Sequence, residues 1–406
     1  MPRIEILGPW LHNRGDELML LSVIEQFRDR AVIGVSSNLG LNEFPTYPEL
    51  FKIKSYANTS ALLNDFLQGA FREGVRKVRD NVYLAHRSDD DLSDRGWVRE
   101  GSLDLLLDAS GYGYGDPWSL WRTRKRAEYY VRLKQQGTRI VVLPQAFGPF
   151  EDPEKTAATR DLMSQCDVIY ARDELSRGHL EQLGFAQGPR ILEAPDITTI
   201  LAAHGHEIEE DWSDAVAIVP NARMLDRTSS SVSQAYPDFI LRIAREILRK
   251  GARPVLVVHE ANDFELASDL RAEIGTGEIV DRNAIETKAI LGAAKAVVSS
   301  RYHACVSSLS QGVPTIGTSW HYKYKMLFRD YGCEDLLLDT GAGEQELRHA
   351  VDRITERRPT MDLANNLVEA ARAQKFRVES MWADIHSMLT GNARLNGQAP
   401  KRHDSK

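Results

Sequence analysis

Along this sequence, short runs of apolar residues alternate with longer segments in which apolar and polar residues are mixed. In the first half, apolar runs predict buried strands at residues 3–7, 31–35, 103–107, 138–143 and 167–170. Residues 18–27 and 118–136 lie between such runs and carry apolar side chains at helical spacing. Strands that alternate with helices in this way indicate a parallel sheet with helices on both faces.

A second array of the same kind follows a polar stretch without periodicity at residues 204–214, which is the best linker candidate. Tyr236-Pro237 predicts the start of a helix that runs to about residue 250. Helical patterning returns from about residue 344 to residue 389. Further strands are predicted at residues 216–219, 254–258, 274–281, 297–300, 315–317 and 335–338.

The two arrays define the predicted fold class and domains. We expect an α/β protein of two Rossmann-like domains that face each other across a cleft, as in GT-B glycosyltransferases, with helices on both faces of parallel sheets. The N-terminal domain covers residues 1–205 and the C-terminal domain residues 206–360. Residues 361–390 are expected to be a helical region that crosses back to the N-terminal domain, and residues 391–406 a disordered tail. This analogy concerns the fold and implies no chemistry by itself.

Composition and charge narrow the classes of function. The 406 residues are 42% hydrophobic and 27% charged, which is enough to bury the cores of two domains. A net charge of −7 and a pI near 5.9 argue against nucleic acid as a partner. The three cysteines are far apart, which predicts reduced, buried thiols without a disulfide or zinc site. Because no signal peptide or membrane span is recognisable, we expect a cytoplasmic protein.

The candidate chemistry centres on Ser299-Ser300-Arg301-Tyr302-His303, where a buried strand ends and a helix starts. In open α/β sheets, ligands bind at the carboxyl ends of the strands. The following helix offers unpaired N–H groups and the positive end of its dipole. Arg301 suits anionic oxygens and His303 suits proton transfer, so this stretch predicts a site for an anionic substrate.

Three strand ends of the first domain supply further candidates. Asn13 and Asp16 follow the first strand in a loop that resembles a phosphate cradle but lacks both nucleotide-binding fingerprints. This loop is either ligand-facing or a capped βα turn. Gly113 lies among alternating glycines and tyrosines, where backbone can approach a ligand closely. Arg172 ends another strand, where it either faces an anion or pairs with a carboxylate of its own sheet.

Taken together, these stretches resemble the polysaccharide pyruvyl transferase family. The sequence contains five elements of this family in the family's order. They are the Asn-x-Gly-Asp-Glu turn, the glycine-rich strand end, the Gln-x-x-Gly-Pro-Phe element, the Arg-Asp/Glu-x-x-Ser element and the Pro-Asp pair. The family's most specific element, Ser-x-Arg-x-His with Gly-x-Pro and Tyr-x-x-Lys downstream, also has a match. The matching residues are Asn13, Gly15, Asp16, Glu17, Gly111, Gly113, Gly115, Asp116, Gln145, Gly148, Pro149, Phe150, Arg172, Asp173, Ser176, Pro195, Asp196, Ser299, Arg301, His303, Gly312, Pro314, Tyr322 and Lys325.

The resemblance implies a transferase that moves the enolpyruvyl group of phosphoenolpyruvate onto two hydroxyls of one sugar, forming a cyclic pyruvate ketal and releasing phosphate. It implies His303 as the catalytic acid and base, with phosphoenolpyruvate bound on the C-terminal domain and neither a cofactor nor a metal. Lys325 either reaches the donor phosphate or is an exposed helix lysine. The expected substrate-binding residues are Arg301, Arg172, Lys325, Ser300, Asn13, Asp16 and Gly113.

The acceptor, expected on the N-terminal domain, stays open between a lipid-linked saccharide, a repeat unit of an exported polysaccharide and a free sugar. A lipid-linked acceptor implies peripheral association with the inner face of the membrane, and a homo-oligomer is compatible with the sequence. Two other hypotheses remain. A nucleotide-sugar-dependent GT-B glycosyltransferase fits residues 299–303 poorly. A non-catalytic glycan-binding relative is expected to lack the Arg301 and His303 pair, and both residues are present.

Overall fold

The computed structural model describes residues 1–9, 13–35, 47, 50–54, 75, 82, 84, 86–185, 188–203, 211–319, 321–356 and 361–390. The predicted tail at residues 391–406 and most of the predicted linker, residues 204–210, lie outside the described residues. Within the described part, strands and helices alternate and each strand pairs in parallel with its neighbours in two sheets. This confirms the predicted α/β class.

The first domain is built on a sheet of eight strands: β1 (Arg3–Leu7), β2 (Val32–Val35), β3 (Leu50–Lys54), β4 (Trp97–Arg99), β5 (Leu105–Asp108), β6 (Arg139–Gln145), β7 (Val168–Ala171) and β8 (Arg190–Glu193). Their order in the sheet is β4-β3-β2-β1-β5-β6-β7-β8. All residues of β5 and β7 are buried, as expected for central strands covered on both faces. The carboxyl ends of β1, β5, β6 and β7 lie side by side at one edge.

Side-chain caps fix where the main helices of this domain begin. These helices are α1 (Arg14–Phe27), α2 (Asp89–Ser93), α3 (Leu120–Gln135), α4 (Pro153–Met163) and α5 (Glu174–Gln182). Asn13, Asp152 and Asp173 accept backbone N–H groups of the first turns of α1, α4 and α5. Because such caps satisfy otherwise orphaned donors, these helices start directly at the carboxyl edge of the sheet.

The second domain contains a sheet of five strands: β9 (Ala215–Val219), β10 (Arg253–Val258), β11 (Ile279–Asp281), β12 (Ala296–Ser299) and β13 (Thr315–Gly317). Their order is β11-β10-β9-β12-β13. The chain builds outward from β9 in one direction and then returns to β12 on the other side. Ligands of open α/β sheets bind at this kind of reversal, next to the carboxyl ends of the strands.

The helices of the second domain are α6 (Arg223–Asp226), α7 (Ser230–Arg249), α8 (Phe264–Ile274), α9 (Ala284–Ala293), α10 (Tyr302–Leu309), α11 (Tyr322–Asp330) and α12 (Glu344–Thr355). The helix predicted to start at Tyr236-Pro237 starts at Ser230 instead, and Pro237 lies inside it. Ser229 caps the helix, and the burial of Tyr236 and Phe239 in the core offsets the hydrogen bond that proline cannot donate.

The last strand of the sequence prediction, residues 335–338, does not form as a strand. Residues Glu334–Leu336 form a 3-10 helix, and only Leu337 makes an isolated bridge, to Gly317. The N–H of Leu338 still donates to the Gly317 carbonyl at 2.8 Å. Leu336 and Leu338 are therefore buried, and the segment follows the edge of the sheet without forming a strand.

One long helix, α13 (Met361–Leu389), packs in both domains. Its first half belongs to the core of the second domain through Leu363, Leu367 and Ala371. Its second half belongs to the core of the first domain through Val378, Met381, Trp382 and Ile385. The helix therefore fixes the two domains relative to each other. None of the helices among the described residues is both long and apolar enough for a membrane span.

Candidate active site

A cavity of about 400 Å³ lies between the two domains, where the carboxyl ends of their strands meet. The first domain contributes Asn13, Asp16, Ser110, Gly111, Tyr112, Trp118 and Arg172. The second domain contributes Asn221, Arg223, His259, Glu260, Arg301, Tyr302, His303, Ser319, His321, Lys323 and Tyr324. The cavity thus brings charged and aromatic groups of both domains to one space.

A buried carboxylate of the first domain, Asp196, lies behind this cavity and joins its cationic groups. Asp196 Oδ2 accepts a hydrogen bond from Arg172 Nη1 at 3.0 Å and lies 3.3 Å from His303 Nε2. Asp196 Oδ1 accepts hydrogen bonds from the N–H and the hydroxyl of Thr198 at 3.0 and 2.7 Å. One carboxylate therefore connects an arginine of the first domain with a histidine of the second.

The charges around Asp196 keep it ionised. Burial raises the pKa of this carboxyl, but the charge of His303 and then that of Arg172 outweigh burial and hold the pKa well below its usual range. His303 Nε2 lies within ion-pair distance, yet its N–H does not point at the oxygen well enough to count as a hydrogen bond. The contact between His303 Nε2 and Asp196 Oδ2 is therefore electrostatic.

The position of His303 depends on a glycine of the other domain. Asp196 beside Nε2 favours the tautomer with a proton on Nε2, which leaves Nδ1 as the basic nitrogen. The Nδ1 edge lies against Gly15 in the first turn of α1, so a Cβ on Gly15 would overlap Nδ1 and lie 2.6 Å from Cγ. Gly15 is therefore required for the contact between the domains.

Arg172 is buried and presents an unpaired donor. Its guanidinium stacks over the ring of Tyr302, 4.1 Å from the ring centroid, and its Nη1 binds Asp196. Its Nε is buried and has no hydrogen-bond partner among the described residues. Since an unsatisfied buried donor costs about 1–3 kcal/mol, this N–H is a candidate to bind an anion in the cavity.

Arg301 also lines the cavity, but two carboxylates of its own domain neutralise it. Its Nε donates to Asp263 Oδ2 at 2.9 Å, while Nη1 and Nη2 donate to Glu260 and Asp263. The acidic residues lie 38 and 41 positions away in the sequence, so no local pattern could reveal them. One hydrogen on each Nη remains for a ligand. A donor-binding role of Arg301 stays a prediction.

The lysine that reaches the cavity is Lys323, and the predicted Lys325 does not. Lys323 lies in the first turn of α11 and lines the cavity, whereas Lys325 is exposed and lies outside it. Successive residues of a helix are 100° apart, so two side chains two positions apart point to nearly opposite sides. Lys325 therefore matches the alternative of an exposed helix lysine, and Lys323 is the residue of α11 whose ammonium lies at the cavity.

Lys323 is held among aromatic rings instead of carboxylates. Its Nζ lies 5.8, 5.3 and 5.8 Å from the ring centroids of Tyr112, Tyr302 and Tyr324, and no carboxylate of the described residues forms an ion pair with it. Burial, followed by the charges of Arg172 and Arg301, lowers the pKa of Lys323 to about 7. A bound anion would favour its charged form.

Two other predicted substrate-binding residues, Ser300 and Gly113, lie behind the cavity wall. The Ser300 hydroxyl pairs with the Tyr236 hydroxyl at 2.8 Å, and its carbonyl accepts from Tyr324 at 2.7 Å. The Gly113 N–H donates to Gln145 Oε1 at 3.1 Å. Both residues therefore hold the loops that carry the cavity wall and do not themselves face the cavity.

Asn13 and Asp16 line the cavity. The side chain of Asn13 accepts the Gly15 N–H at 2.8 Å, and its backbone forms an isolated bridge with Glu260 of the second domain. The loop that the sequence left open between a capped turn and a ligand-facing loop therefore caps α1 and lines the cavity, while its role in binding stays a prediction.

Sequence reasoning gave no role to Asp196, Lys323 or Glu260. Asp196 was visible as part of the Pro-Asp pair of the family resemblance, and Lys323 as a lysine between two tyrosines. Glu260 stands at the end of β10, in a stretch of acidic and amide residues. What the sequence could not supply was the pairing of these groups across the two domains.

The comparison with known families decides the assignment. The model of the family described as polysaccharide pyruvyl transferase matches residues 13–322, well over half of the chain. The chain belongs to the polysaccharide pyruvyl transferase family. The matched range includes the cavity residues from Asn13 to His321, as well as Asp196 and His303. Within the described residues of this family member, no group of three or more His, Cys, Asp or Glu side chains could hold a metal ion.

Solved structures show the fold of this pyruvyl transferase family member. UDP-GlcNAc 2-epimerase from Neisseria meningitidis, bound to UDP-GlcNAc, is 11% identical with a TM-score of 0.55, covering 97% of this chain and 100% of that chain. Anabaena Alr3699/HepE in complex with UDP and glucose is 14% identical with a TM-score of 0.55, covering 96% and 100%. Medicago truncatula UGT71G1 complexed with UDP-glucose is 12% identical with a TM-score of 0.50, covering 95% and 98%. These similarities confirm the predicted GT-B-like fold.

We predict that Gly15→Ala destabilises the protein by about 1–3 kcal/mol, because the added methyl group pushes His303 away from the start of α1. Urea unfolding measures this change. Gly178→Ala in α5 is the matched control, since nothing lies within 4 Å of the added Cβ and alanine favours a helix by about 1 kcal/mol over glycine. Equal effects of the two substitutions would contradict the packing of Gly15 on His303.

Proposed function

We propose that this protein transfers the enolpyruvyl group of phosphoenolpyruvate to two hydroxyls of one saccharide, forming a cyclic ketal and releasing phosphate. Membership of the polysaccharide pyruvyl transferase family supports a transferase that acts on saccharides. The observation that carries the proposal is the pair of available cationic donors, Arg172 Nε and Lys323 Nζ, beside the Asp196–His303 pair.

The donor is a small anion with a carboxylate and a phosphate, so it needs cationic N–H groups that do not already donate to another acceptor. Arg172 Nε has no partner and Lys323 has no carboxylate partner among the described residues. Arg301 is paired with Glu260 and Asp263 and can offer only its remaining N–H groups. We therefore assign the donor mainly to Arg172 and Lys323, with Arg301 holding Glu260 in the cavity wall.

We assign the proton transfers of this reaction to His303. The donor carbon C2 gains two C–O bonds to the acceptor and loses its bond to the phosphate oxygen. The neighbouring carbon C3 gains one proton, two acceptor hydroxyls lose one proton each, and the remaining proton leaves with phosphate. Nδ1 of His303 can accept a hydroxyl proton and return it, while Asp196 stabilises the protonated ring at Nε2.

Aromatic side chains of the cavity suit the acceptor. Tyr112 contacts Trp118 edge-on at 6.3 Å and His321 at 5.0 Å between ring centroids. The faces of a sugar ring that carry C–H groups pack well on such rings. Asp16, on the same side of the cavity, can accept hydrogen bonds from sugar hydroxyls. A lipid-linked saccharide in this site would bring the protein to the inner face of the membrane.

The proposal predicts that the protein, given phosphoenolpyruvate and a panel of saccharides, releases phosphate only when an acceptor gains the mass of one pyruvyl group. His303→Ala should lower the rate by about 10²–10⁴-fold, because proton transfer is lost. Phosphate assays and mass spectrometry of the saccharide measure both. Turnover that requires a nucleotide sugar would favour a GT-B glycosyltransferase instead, and binding of glycans without turnover would favour a non-catalytic relative.

We further predict that Lys323→Met weakens the binding of phosphoenolpyruvate at least tenfold, whereas Lys325→Met changes it less than twofold. The two lysines lie on one helix, but only Lys323 lines the cavity. Because the pKa of Lys323 is about 7, its ammonium is lost as the pH rises through 7. The wild-type affinity should therefore fall between pH 7 and pH 9.

Lys323→Arg should remove this decrease, since arginine stays charged over the same range. Calorimetric titration at several pH values measures the affinity of the wild type and the three variants for the donor. Ionisation of the donor itself affects all four proteins equally. Equal losses of affinity in Lys323→Met and Lys325→Met would contradict the assignment of the donor to Lys323.

A further inference from the structure

A buried lysine of the second domain, Lys288 on α9, reaches the turn of the first domain that carries Asp196. Only 1% of Lys288 is exposed. Its Nζ donates to the Thr198 carbonyl at 3.0 Å and to the Ser310 hydroxyl at 3.4 Å. No carboxylate of the described residues lies within ion-pair distance of it. A buried ammonium group without an acidic partner is costly, so this lysine needs a compensating role.

Thr198 connects Lys288 to the catalytic pair. The carbonyl of Thr198 accepts from Lys288, while its N–H and hydroxyl both donate to Asp196 Oδ1. Asp196 Oδ2 faces His303. Each contact in this series is direct, with a length between 2.7 and 3.3 Å.

These contacts hold one helix against the turn at both of its ends. His303 lies in the first turn of α10 and meets Asp196. Ser310 follows the last residue of α10 and shares the Lys288 ammonium with Thr198. The Lys288 carbonyl in turn accepts from Gln311 Nε2 at 2.9 Å. The distance between His303 and Asp196 is therefore set partly from the far end of α10.

We propose that Lys288 is a positioning residue for pyruvyl transfer, which aligns Asp196 with His303 across the domain boundary by holding the Thr198 carbonyl. This inference rests on the proposed function, in which Asp196 and His303 act as a pair. Lys288 itself lies outside the residues that line the cavity.

The ionisation of Lys288 fits a role that needs a donor and no fixed charge. Burial lowers the pKa of Lys288 to about 7, although Asp196 opposes this change. Because the folded pKa lies below the unfolded value, the charged group destabilises the fold most below pH 7, and this cost falls as the pH rises above 7. The neutral amine still donates to Thr198, so the alignment persists.

The test compares Lys288→Met with Arg329→Met. Both substitutions remove a contact between the domains, but the ion pair of Arg329 with Glu174, at 3.3 Å, does not involve the Asp196 turn. We expect Lys288→Met to lower kcat at least tenfold with the Kd for phosphoenolpyruvate changed less than threefold, because Arg172 keeps its stacking on Tyr302. Arg329→Met should change both less than twofold.

Thr198→Val provides a second variant that leaves Lys288 intact and removes only the hydroxyl donor to Asp196. It should lower kcat in the same direction, and the double variant should lose less than the product of the two single effects, since both act on Asp196. A kcat of Lys288→Met within twofold of wild type, or fully multiplicative effects in the double variant, would overturn the inference.

A readout without turnover separates this inference from the proposed function. The ¹⁵N chemical shifts of the His303 ring report which nitrogen carries the proton. We expect Lys288→Met to shift this tautomer balance away from Nε2–H, and Arg329→Met to leave it unchanged. That result in a protein that forms no pyruvyl product would refute the proposed function but support the alignment of Asp196 with His303 by Lys288. An unchanged balance in Lys288→Met would refute the positioning role.

Discussion

The candidate active site depends on one buried carboxylate, Asp196, that contacts residues of both domains. Asp196 is inaccessible to solvent and ionised, so it must be surrounded by positive charge and hydrogen-bond donors. Arg172 comes from its own domain and His303 from the other. Separating the domains would remove His303 from Asp196 and leave this buried negative charge only partly neutralised. The same contact that stabilises the domain arrangement therefore orients the proposed catalytic histidine.

The contact between Asp196 and His303 requires the backbone of the first domain to approach the second domain closely. Gly15 lets the start of α1 reach the edge of the His303 ring, and α13 packs in both cores and fixes the two domains at that distance. Among the described residues of the cavity, Arg172 keeps an unpaired Nε–H beside its ion pair with Asp196, and Lys323 forms no ion pair with a carboxylate. Glu260 and Asp263 neutralise Arg301, which leaves Arg172 and Lys323 as the groups best suited to an anionic donor.

Much of the fold was predictable because it follows from local pattern. Apolar runs predicted most of the described strands but not β3, β4 and β8, and the Ser299–His303 stretch lies at a strand end, where Arg301, Tyr302 and His303 line the cavity. Local pattern could not show features that depend on distant residues. The neutralisation of Arg301 involves acidic residues about 40 positions away. The choice between Lys323 and Lys325 depends on the rotation of α11, which a spacing pattern does not define. Pro237 is tolerated inside α7 only because the surrounding core is well packed.

The central claim is that ionised Asp196 orients His303 for proton transfer between the domains. Asp196→Asn tests it most directly, because asparagine keeps the shape of the side chain and removes the charge. The measurement is the rate of saccharide-dependent phosphate release from saturating phosphoenolpyruvate, with circular dichroism to confirm folding. We predict a rate at least about 10²-fold below wild type in a folded protein. A rate within threefold of wild type would contradict the account.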